Sequence, residues 1–280
     1  MDGKKQIKFM TYNVWCREDL VVHKRMKAIG DLVQEHSPDV IFFQEITPYI
    51  HSIFESFAWW KDYHCSPVPT EGQFCLMLSK LRMESYARWK FGTSPTGKCY
   101  LEADIVPGPP SLMKPIRIAT TELECPVPPA WMHLRERYTQ AKHAVSALSS
   151  ADNVVLGGDM SWDDDADLPF PLPGGWCDAW EELIRERGSY YSWTYDSFWV
   201  EKVWEFNGHI VHRPWTKKRS DRFVCKLQDY TLNTIQLIEG NHGFEAFGRI
   251  RCTNYTTCNH EDLALHASCH RGLVLTIVPK

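Results

Sequence analysis

The sequence lacks several features that would assign it to a specialised class of protein. No apolar run approaches the roughly 18 residues of a membrane span, and no apolar leader follows the polar start MDGKK. No period of about 20–50 residues recurs, which excludes a solenoid or a propeller. No low-complexity linker divides the chain. We therefore expect an intracellular protein without membrane partners, folded as one domain over residues 7–280.

The chain also lacks the strong positive charge of proteins that bind long nucleic acids. Its 31 Lys and Arg and 35 Asp and Glu give a formal net charge of -4. Binding along a nucleic acid needs a basic surface, so any contact with nucleic acid is expected to be local, at a short end or a single phosphate. The best basic cluster comprises Lys217, Lys218, Arg219 and Arg222. A solvated loop explains this cluster equally well.

The ten cysteines show no framework spacing. Without a secretory signal, reduced thiols in an intracellular compartment are the expected state. One tract could alternatively bind zinc, and it contains Cys252, Cys258, His260, His266, Cys269 and His270. Its spacing matches no structural zinc pattern, so unpaired thiols and surface histidines are the favoured interpretation.

What the chain does contain is a series of strand and helix patterns. Alternation predicts a strand at 7–14, and apolar residues on one face predict a helix at 20–36. Further strands are predicted at 39–43, 74–80, 84–91, 98–105, 116–122, 153–158, 222–228, 232–238 and 272–278, and helices at 49–58, 131–148 and 178–184. Consecutive strands with few helices between them favour an α/β fold of two packed mixed sheets flanked by helices.

Polar residues stand where the predicted strands begin or end. They are Asn13, Glu45, Glu122, Glu124, Asp159, Asp221 and His270. Carboxylates bind hard cations, and a bound cation neutralises phosphoryl oxygens. A His–Asp pair can transfer a proton or stabilise a transition state. Each residue alone is more typical of a turn or a helix cap, so this pattern predicts only a soluble α/β domain that could be a hydrolase.

Several phrases narrow this interpretation because they occur in a recognisable order. They are TYNVW at 11–15, SPDVIFFQE at 37–45, GGDM at 157–160, FPLPGGWCDAW at 170–180, WTYD at 193–196, RSDRF at 219–223 and HRGLVLTI at 270–277. Together they resemble the endonuclease/exonuclease/phosphatase superfamily, and within it the 5′-tyrosyl-DNA phosphodiesterase (tyrosyl-DNA phosphodiesterase 2) family in its plant form. The resemblance covers nearly the whole chain.

This resemblance implies a fold and an activity. The fold is a four-layer α/β/β/α sandwich. The activity is Mg²⁺-dependent (or Mn²⁺-dependent) hydrolysis of the phosphodiester between a tyrosine and the 5′ end of DNA, which removes trapped topoisomerase adducts. The implied partner is a DNA 5′ end or a phosphotyrosyl-linked peptide, and the implied location is the nucleus. No protein partner is indicated.

The resemblance also implies a role for each matching residue. Asn13 would orient catalytic groups and phosphate, and Glu45 would be the principal magnesium ligand. Asp159 would position the attacking water. Asp221 would pair with His270, which would contact the scissile phosphate.

Three further residues match substrate-binding positions of the family. Trp193 and Tyr195 fall where the family has an aromatic side chain against the DNA end. Lys98 stands where an Arg is expected, which keeps the charge but loses the planar fork of a guanidinium.

Three catalytic positions depart from the family pattern. Glu122 replaces a His and adds an anion that would repel the substrate, Ser161 replaces an Asn, and Cys269 replaces an Asp. Loss of one such group typically lowers a rate by about 10²–10⁴-fold. We therefore expect the activity and the metal binding to be reduced or lost. An acid of the 163–165 run could replace the missing carboxylate. Alternatively, the protein binds DNA ends, phosphate groups or a protein partner without turnover.

Overall fold

The structure is a computed structural model that describes residues 6–108, 113–126, 132–184, 193–196, 203–206, 209–212, 217–239, 249–254, 259–264 and 266–280. In chain order the strands are β1 Ile7–Asn13, β2 Val40–Ile46, β3 His64–Cys65, β4 Phe74–Ser79, β5 Met83–Lys90, β6 Cys99–Ile105, β7 Ile116–Glu122, β8 Asn153–Asp159, β9 Trp176–Asp178, β10 Tyr195–Asp196, β11 Val203–Phe206, β12 His209–His212, β13 Lys217–Lys218, β14 Asp221–Leu227, β15 Tyr230–Ile238, β16 Arg249–Asn254, β17 Asn259–Ala264 and β18 Gly272–Pro279. The helices are α1 Val22–His36, α2 Pro48–Glu55, α3 Leu134–Leu148 and α4 Ala179–Leu183, with a 3₁₀ turn at Ala58–Asp62.

Two six-stranded mixed sheets flanked by helices form the body of the described structure, which confirms the predicted sandwich. The pairs β10–β13, β11–β12 and β16–β17 form separate two-stranded sheets. The first sheet has the order β15-β18-β1-β2-β4-β3, and the second has the order β5-β6-β7-β8-β14-β9. The pairs β1–β2 and β7–β8 are parallel, and the other neighbours are antiparallel. Helices α1 and α2 pack on the outer face of the first sheet, and α3 packs on the outer face of the second.

Apolar side chains fill the space between the two sheets. Phe42 is fully buried there, with its ring centroid 6.5 Å from that of Phe9 and 6.3 Å from that of Phe223. Gly157 and Gly158 allow β8 to fit this core. A Cβ on Gly157 would lie 2.6 Å from the Phe223 ring, and one on Gly158 would lie 2.1 Å from a β7 carbonyl oxygen. The glycine pair before Asp159 is therefore required by close packing.

The chain topology brings the polar strand ends to one edge of the sandwich. Parallel β1 and β2 present their carboxyl ends there, and so do parallel β7 and β8. The antiparallel strands β14 and β18 present their amino ends at the same edge. The candidate site residues therefore come from both sheets.

The short elements were not predicted. Strands of two or three residues, such as β3 and β9, carry no periodic pattern by which they could be recognised. The 239–266 stretch contains β16 paired with β17, but the zinc hypothesis cannot be followed there, because Cys258 lies outside the described residues. No helix among the described residues is both long and apolar enough to cross a membrane.

Candidate active site

Three carboxylates stand side by side at the edge of the second sheet. Glu122 is the register partner of Asp159 across β7 and β8, and Asp159 is the partner of Asp221 across β8 and β14. Register partners project from the same face of a sheet. All three residues are buried. Such a row of anions is unfavourable unless cations or hydrogen-bond donors compensate it.

Glu45 reaches this row from the first sheet by means of a backbone irregularity. The pairing of β2 with β4 shifts register between Phe43 and Ile46, and Glu45 has a φ of 57°. A bulge of this kind redirects one side chain without ending the strand. A positive φ is costly for Glu, and such strain is common at functional sites.

The amide of Asn13 joins the two sheets at the site. Its Nδ2 donates to Glu45 Oε1 and to Asp159 Oδ2, both at 2.9 Å. The backbone N–H of Trp15 donates to Asn13 Oδ1 at 3.0 Å, so the amide group is held with its NH₂ toward the acids. Asn13 therefore bridges the carboxylates of Glu45 and Asp159.

Arg25 was not identified from the sequence, although it supports the site. It is fully buried in α1 and donates to the carbonyl oxygens of Val14 at 2.7 Å, Trp15 at 2.5 Å and Ala267 at 2.8 Å. Burial lowers the pKa of Arg25 to about 10. Its guanidinium thus ties the loop after β1 to the loop before β18. A buried Arg in an amphipathic helix gives no signal in the sequence pattern.

The loop held by Arg25 also contacts the candidate metal ligand directly. The backbone N–H of Cys16 donates to Glu45 Oε2 at 3.0 Å. Both carboxylate oxygens of Glu45 are therefore oriented, one by an amide side chain and one by the backbone.

His270 lies between two of the carboxylates. Its Nδ1 is 2.8 Å from Asp221 Oδ2, and its Nε2 is 3.7 Å from Asp159 Oδ2. Burial alone would lower the pKa of His270, but the charges of Asp221 and Asp159 raise it well above its ordinary value. These two charges favour the protonated imidazole over the neutral one. Its Nε2–H faces the side of the site where Asp159 lies.

Asp159 is held ionised by its neighbours. Its Oδ1 accepts from the backbone N–H of Ser161 at 2.7 Å and from the Ser220 hydroxyl at 2.5 Å. Burial opposes ionisation, but the His270 charge and the Ser220 hydrogen bond lower the pKa of Asp159 below its ordinary value.

The residues at this point fit a hard divalent cation. One ligand atom from each of Glu45, Asp159 and His270 lies within 4.8 Å of the others. Two carboxylates, completed by water, are a donor set that suits Mg²⁺. A protonated imidazole has no lone pair to donate, so Glu45 and Asp159 are the residues that would hold the metal.

The carboxylate of Glu122 is paired with a cation, whereas the sequence alone predicts an anion that repels the substrate. The Lys98 ammonium donates to Glu122 Oε1, and the two side chains are 18% and 9% exposed. Burial raises the pKa of Glu122 to about 7, against the opposing attraction of Lys98. For Lys98, the Glu122 charge outweighs burial and raises the pKa. Lys98 and Glu122 therefore offset each other's charge.

Ser161 and Cys269 are the other two positions at which the sequence departs from the pattern that it resembles. Ser161 has a φ of 49°, a left-handed conformation that Asn adopts more readily than Ser. Its carbonyl oxygen accepts from Lys218 Nζ at 3.1 Å. Cys269 is 3% exposed, and burial raises its thiol pKa. It therefore stays neutral and supplies no carboxylate.

The neighbouring acids do not restore the missing carboxylate. Asp164 bonds to Arg219 and Arg222, and Asp163 accepts from the backbone of Asp165 at 3.0 Å. Within the described part of the chain, none of the three joins a potential metal-binding group.

The basic cluster is divided between the interior and the site. Arg219 and Arg222 are buried and both bond to Asp178, at 2.7 Å and 2.9 Å. The sequence predicts a nucleic-acid contact or a solvated loop for this cluster, and for these two buried arginines both interpretations are wrong. The two lysines of the cluster lie beside the predicted substrate-binding aromatics.

Trp193 and Tyr195 form an aromatic and basic flank of the site. The Arg271 guanidinium lies 3.6 Å from the centroid of Trp193, and Lys217 Nζ lies 4.3 Å from it. The ring centroid of Tyr195 is 4.9 Å from that of His270, and Lys218 Nζ lies 5.1 Å from the Tyr195 ring. The structure thus brings Tyr195 next to His270 and places cations over both aromatic rings.

The family follows from comparison with known proteins. The model of the Endonuclease/Exonuclease/phosphatase family matches residues 10–231, and the chain belongs to this family. Comparison with curated proteins gives no significant match.

Within this family the structure is similar to TDP2. The TDP2 of D. rerio complexed with single strand DNA product has a TM-score of 0.75 at 18% identity, over 98% of this chain and 99% of that chain. The TDP2 of C. elegans has a TM-score of 0.73 at 19% identity, over 99% and 77%. The human Nocturnin catalytic domain with bound sulfate anion has a TM-score of 0.70 at 14% identity, over 100% and 97%. At these identities the similarity shows a common fold.

Proposed function

We propose that this protein is a magnesium-dependent phosphodiesterase that hydrolyses 5′-tyrosyl-DNA with reduced activity. The observation that carries the proposal is the convergence of Glu45, Asp159 and His270 within 4.8 Å at the edge shared by the two sheets. These residue types can hold a divalent cation, orient a water molecule and neutralise a phosphoryl oxygen. The similarity to TDP2 supports the choice of substrate.

Glu45 and Asp159 would hold the magnesium ion. The ion would neutralise charge on the phosphoryl oxygens. Asn13 keeps both carboxylates in place through its two hydrogen bonds. Ser161 and Ser220 both donate to Asp159 Oδ1. These hydrogen bonds would hold the Asp159 carboxylate in a fixed orientation for positioning an attacking water.

His270 would act on the phosphate as a cationic hydrogen-bond donor. Asp221 binds its Nδ1, which directs the Nε2–H into the site. The attacking water would form a new P–O bond as the bond between phosphorus and the tyrosine oxygen breaks. The products would be a 5′-phosphate and free tyrosine, with one water proton ending on the tyrosine oxygen. Charge that develops on the phosphoryl oxygens would be stabilised by the imidazolium.

The expected reduction in rate comes from Glu122, Ser161 and Cys269. Lys98 neutralises Glu122 but is itself occupied by that contact, so neither side chain replaces a free phosphate-binding donor. Cys269 remains a neutral buried thiol. Losses within one site are not additive, so a low residual rate is compatible with these changes.

A cleavage assay with a reverted variant tests the proposal. The substrate is a 5′-tyrosyl oligonucleotide with Mg²⁺, and the variant carries Glu122→His, Ser161→Asn and Cys269→Asp. We expect the unmodified protein to cleave at a rate at least about 10²-fold below the variant. Asp159→Asn in the reverted background serves as the inactive control.

The possible results separate the proposal from its alternatives. Equal rates for the unmodified and reverted proteins would show that the site is not impaired. An inactive reverted variant would reject the assigned site residues. Binding of the oligonucleotide by an uncleaving protein, with cleavage restored in the variant, would support a protein that binds DNA ends without turnover. The ion pair between Lys98 and Glu122 supports this second function, because it occupies both side chains at the position where a free phosphate-binding donor would act in catalysis. Either function would suit DNA repair in the nucleus.

A further inference from the structure

A second pocket adjoins the candidate active site at Glu122. Its volume is ≈ 240 Å³, and its lining includes Phe74, Arg88, Thr96, Lys98 and Glu122. It shares Glu122 with the carboxylate row. Because Glu122 and Asp159 are register partners on adjacent strands, the pocket begins roughly 5 Å from Asp159.

The pocket is also connected to the candidate metal ligand. Phe74 pairs with Ile46, which directly follows Glu45 in β2. Gln73, on the pocket rim, donates to the sulfur of Cys16 at 2.9 Å, and the N–H of Cys16 donates to Glu45. A molecule bound at the candidate active site could therefore extend into this pocket.

Arg88 gives the pocket its charge. Lys98 and Glu122 form an ion pair and cancel each other. The Nε of Arg88 donates to the sulfur of Cys99 at 3.2 Å, and within the described part of the chain its guanidinium makes no ion pair. One edge of the guanidinium is thus anchored to a buried thiol. The remaining N–H groups can bind an anion in the two-pronged geometry that guanidinium offers to phosphate.

The floor of the pocket explains why the charge has no protein partner. Phe74, Cys75 and Cys99 are buried and supply no carboxylate. Apart from the paired Glu122, the pocket lining contains no acid. Arg88 itself is exposed, so an anion from solvent can reach its guanidinium above this uncharged floor.

We propose that this pocket is a subsite for a second phosphate of the substrate, held by Arg88. The first phosphate is the scissile group at Glu45, Asp159 and His270, so naming the ligand rests on the proposed function. The second phosphate is either a phosphomonoester on the same nucleotide or the next phosphodiester of an oligonucleotide. Both present the same oxygens to the guanidinium.

Binding measurements test the subsite without requiring turnover. Calorimetric titrations with Mg²⁺ compare thymidine 5′-monophosphate, thymidine 3′,5′-bisphosphate and the 5′-phosphorylated dinucleotide pTpT. We expect at least one two-phosphate ligand to bind about tenfold more tightly than the monophosphate, the gain from one charge-assisted contact. Arg88→Ala should remove this gain and leave monophosphate binding unchanged.

A nearby arginine supplies the matched control. Arg82, which immediately precedes β5, is 84% exposed in its side chain and lines no part of the pocket. Arg82→Ala should retain the full gain. Arg88→Lys should retain part of it, because the charge remains but the fork is lost. A larger Arg88-dependent gain for thymidine 3′,5′-bisphosphate would identify the second phosphate as a phosphomonoester on the same nucleotide. A larger gain for pTpT would identify it as the next phosphodiester.

The outcomes also separate the subsite from the proposed function. The subsite is rejected if neither two-phosphate ligand gains affinity, or if Arg82→Ala has the same effect as Arg88→Ala. A gain that depends on Arg88, in a protein whose reverted variant cleaves no tyrosyl-DNA, would support the subsite and reject the function. Cleavage of tyrosyl-DNA by a protein that binds neither two-phosphate ligand more tightly would support the proposed function and reject the subsite.

Discussion

The ammonium of Lys98 is hydrogen-bonded to the carboxylate of Glu122 at the edge of the second sheet. Lys98 immediately precedes β6 and Glu122 ends the neighbouring antiparallel strand β7. Glu124 holds the turn that carries Lys98, because its carboxylate accepts from Ser94 at 2.8 Å and from Thr96 at 2.5 Å. The pair therefore joins the turn between β5 and β6 to the end of β7, and it borders both the candidate active site and the second pocket.

Breaking this pair should destabilise the protein. Lys98→Met leaves Glu122 buried without its partner. Because this carboxyl group can bind a proton and need not stay charged, we expect the free energy of unfolding to fall by about 1–2 kcal/mol at neutral pH. Glu122→Gln should have a smaller effect, because the flexible lysine can turn its charge toward water. Urea unfolding of both single variants and the double variant measures the coupling energy. The double variant should lose less free energy of unfolding than the two single variants lose together.

An exposed ion pair provides the control for this cycle. Lys27 and Asp31 are 69% and 35% exposed in their side chains, so Lys27→Met should change stability by no more than about 0.5 kcal/mol. If Lys98→Met lowers the free energy of unfolding no more than Lys27→Met does, the pair of Lys98 and Glu122 contributes nothing to stability.

The same carboxyl predicts a dependence of stability on pH. Burial raises the pKa of Glu122 from 4.5 to about 7 in the folded protein. The folded state therefore binds this proton more tightly than the unfolded state, and the resulting stability is present below pH 4.5 and is lost as the pH rises to about 7. Relative to Glu122→Gln, the unmodified protein should lose stability between these limits. A difference that stays constant with pH, or that grows in the opposite direction, would contradict this prediction.

The sequence predicted the long strands and the residues at their ends because both leave periodic or motif signals. Asp159 follows a buried strand with two glycines, and His270 precedes the last strand. Parallel pairs bring the carboxyl ends of their strands to one edge, and antiparallel neighbours add their amino ends there. This is why the sandwich and its polar edge could be anticipated before the individual contacts were known.

The remaining features depend on contacts between distant residues. The positive φ of Glu45 results from a register shift against β4, which no local pattern reveals. Arg25 lies 242 positions from Ala267, whose carbonyl oxygen it binds. The compensation of Glu122 by Lys98 depends on the pairing of β6 with β7. The sequence alone therefore predicts a larger charge imbalance at the site than the structure has, because the partner of Glu122 is apparent only from the fold.

Metal binding should stabilise the folded protein through Glu45. A ligand at about 100 times its dissociation constant adds about 2.7 kcal/mol to the free energy of unfolding, so saturating Mg²⁺ should raise the melting temperature by several degrees. Glu45→Gln should abolish this rise. Glu71→Gln, at an exposed position, should retain it. An equal rise in both variants would mean that the ion binds elsewhere.

Replacing Ser161 by the family residue should stabilise the backbone at the site. Ser161 has a φ of 49°, and Asn tolerates this left-handed conformation better than Ser. We expect Ser161→Asn to raise the free energy of unfolding by about 0.5 kcal/mol. Ser52→Asn, within α2, should instead lower it slightly, because Asn has a poorer helix propensity than Ser. A destabilised Ser161→Asn variant would show that this loop has adapted to the shorter side chain.

The pairing of Asp221 with His270 should control the charge of the imidazole. Asp221→Asn keeps a hydrogen-bond acceptor near Nδ1 but removes the negative charge that raises the pKa of His270. The pKa of His270 should therefore fall, although Asp159 still raises it. NMR titration of the His270 imidazole in the unmodified protein and in Asp221→Asn measures the change. In the reverted background, cleavage should fall by about 10²–10⁴-fold near neutral pH, and part of this loss should be recovered at lower pH, where the imidazole is protonated again. A loss that is independent of pH would mean that Asp221 orients the ring without setting its charge.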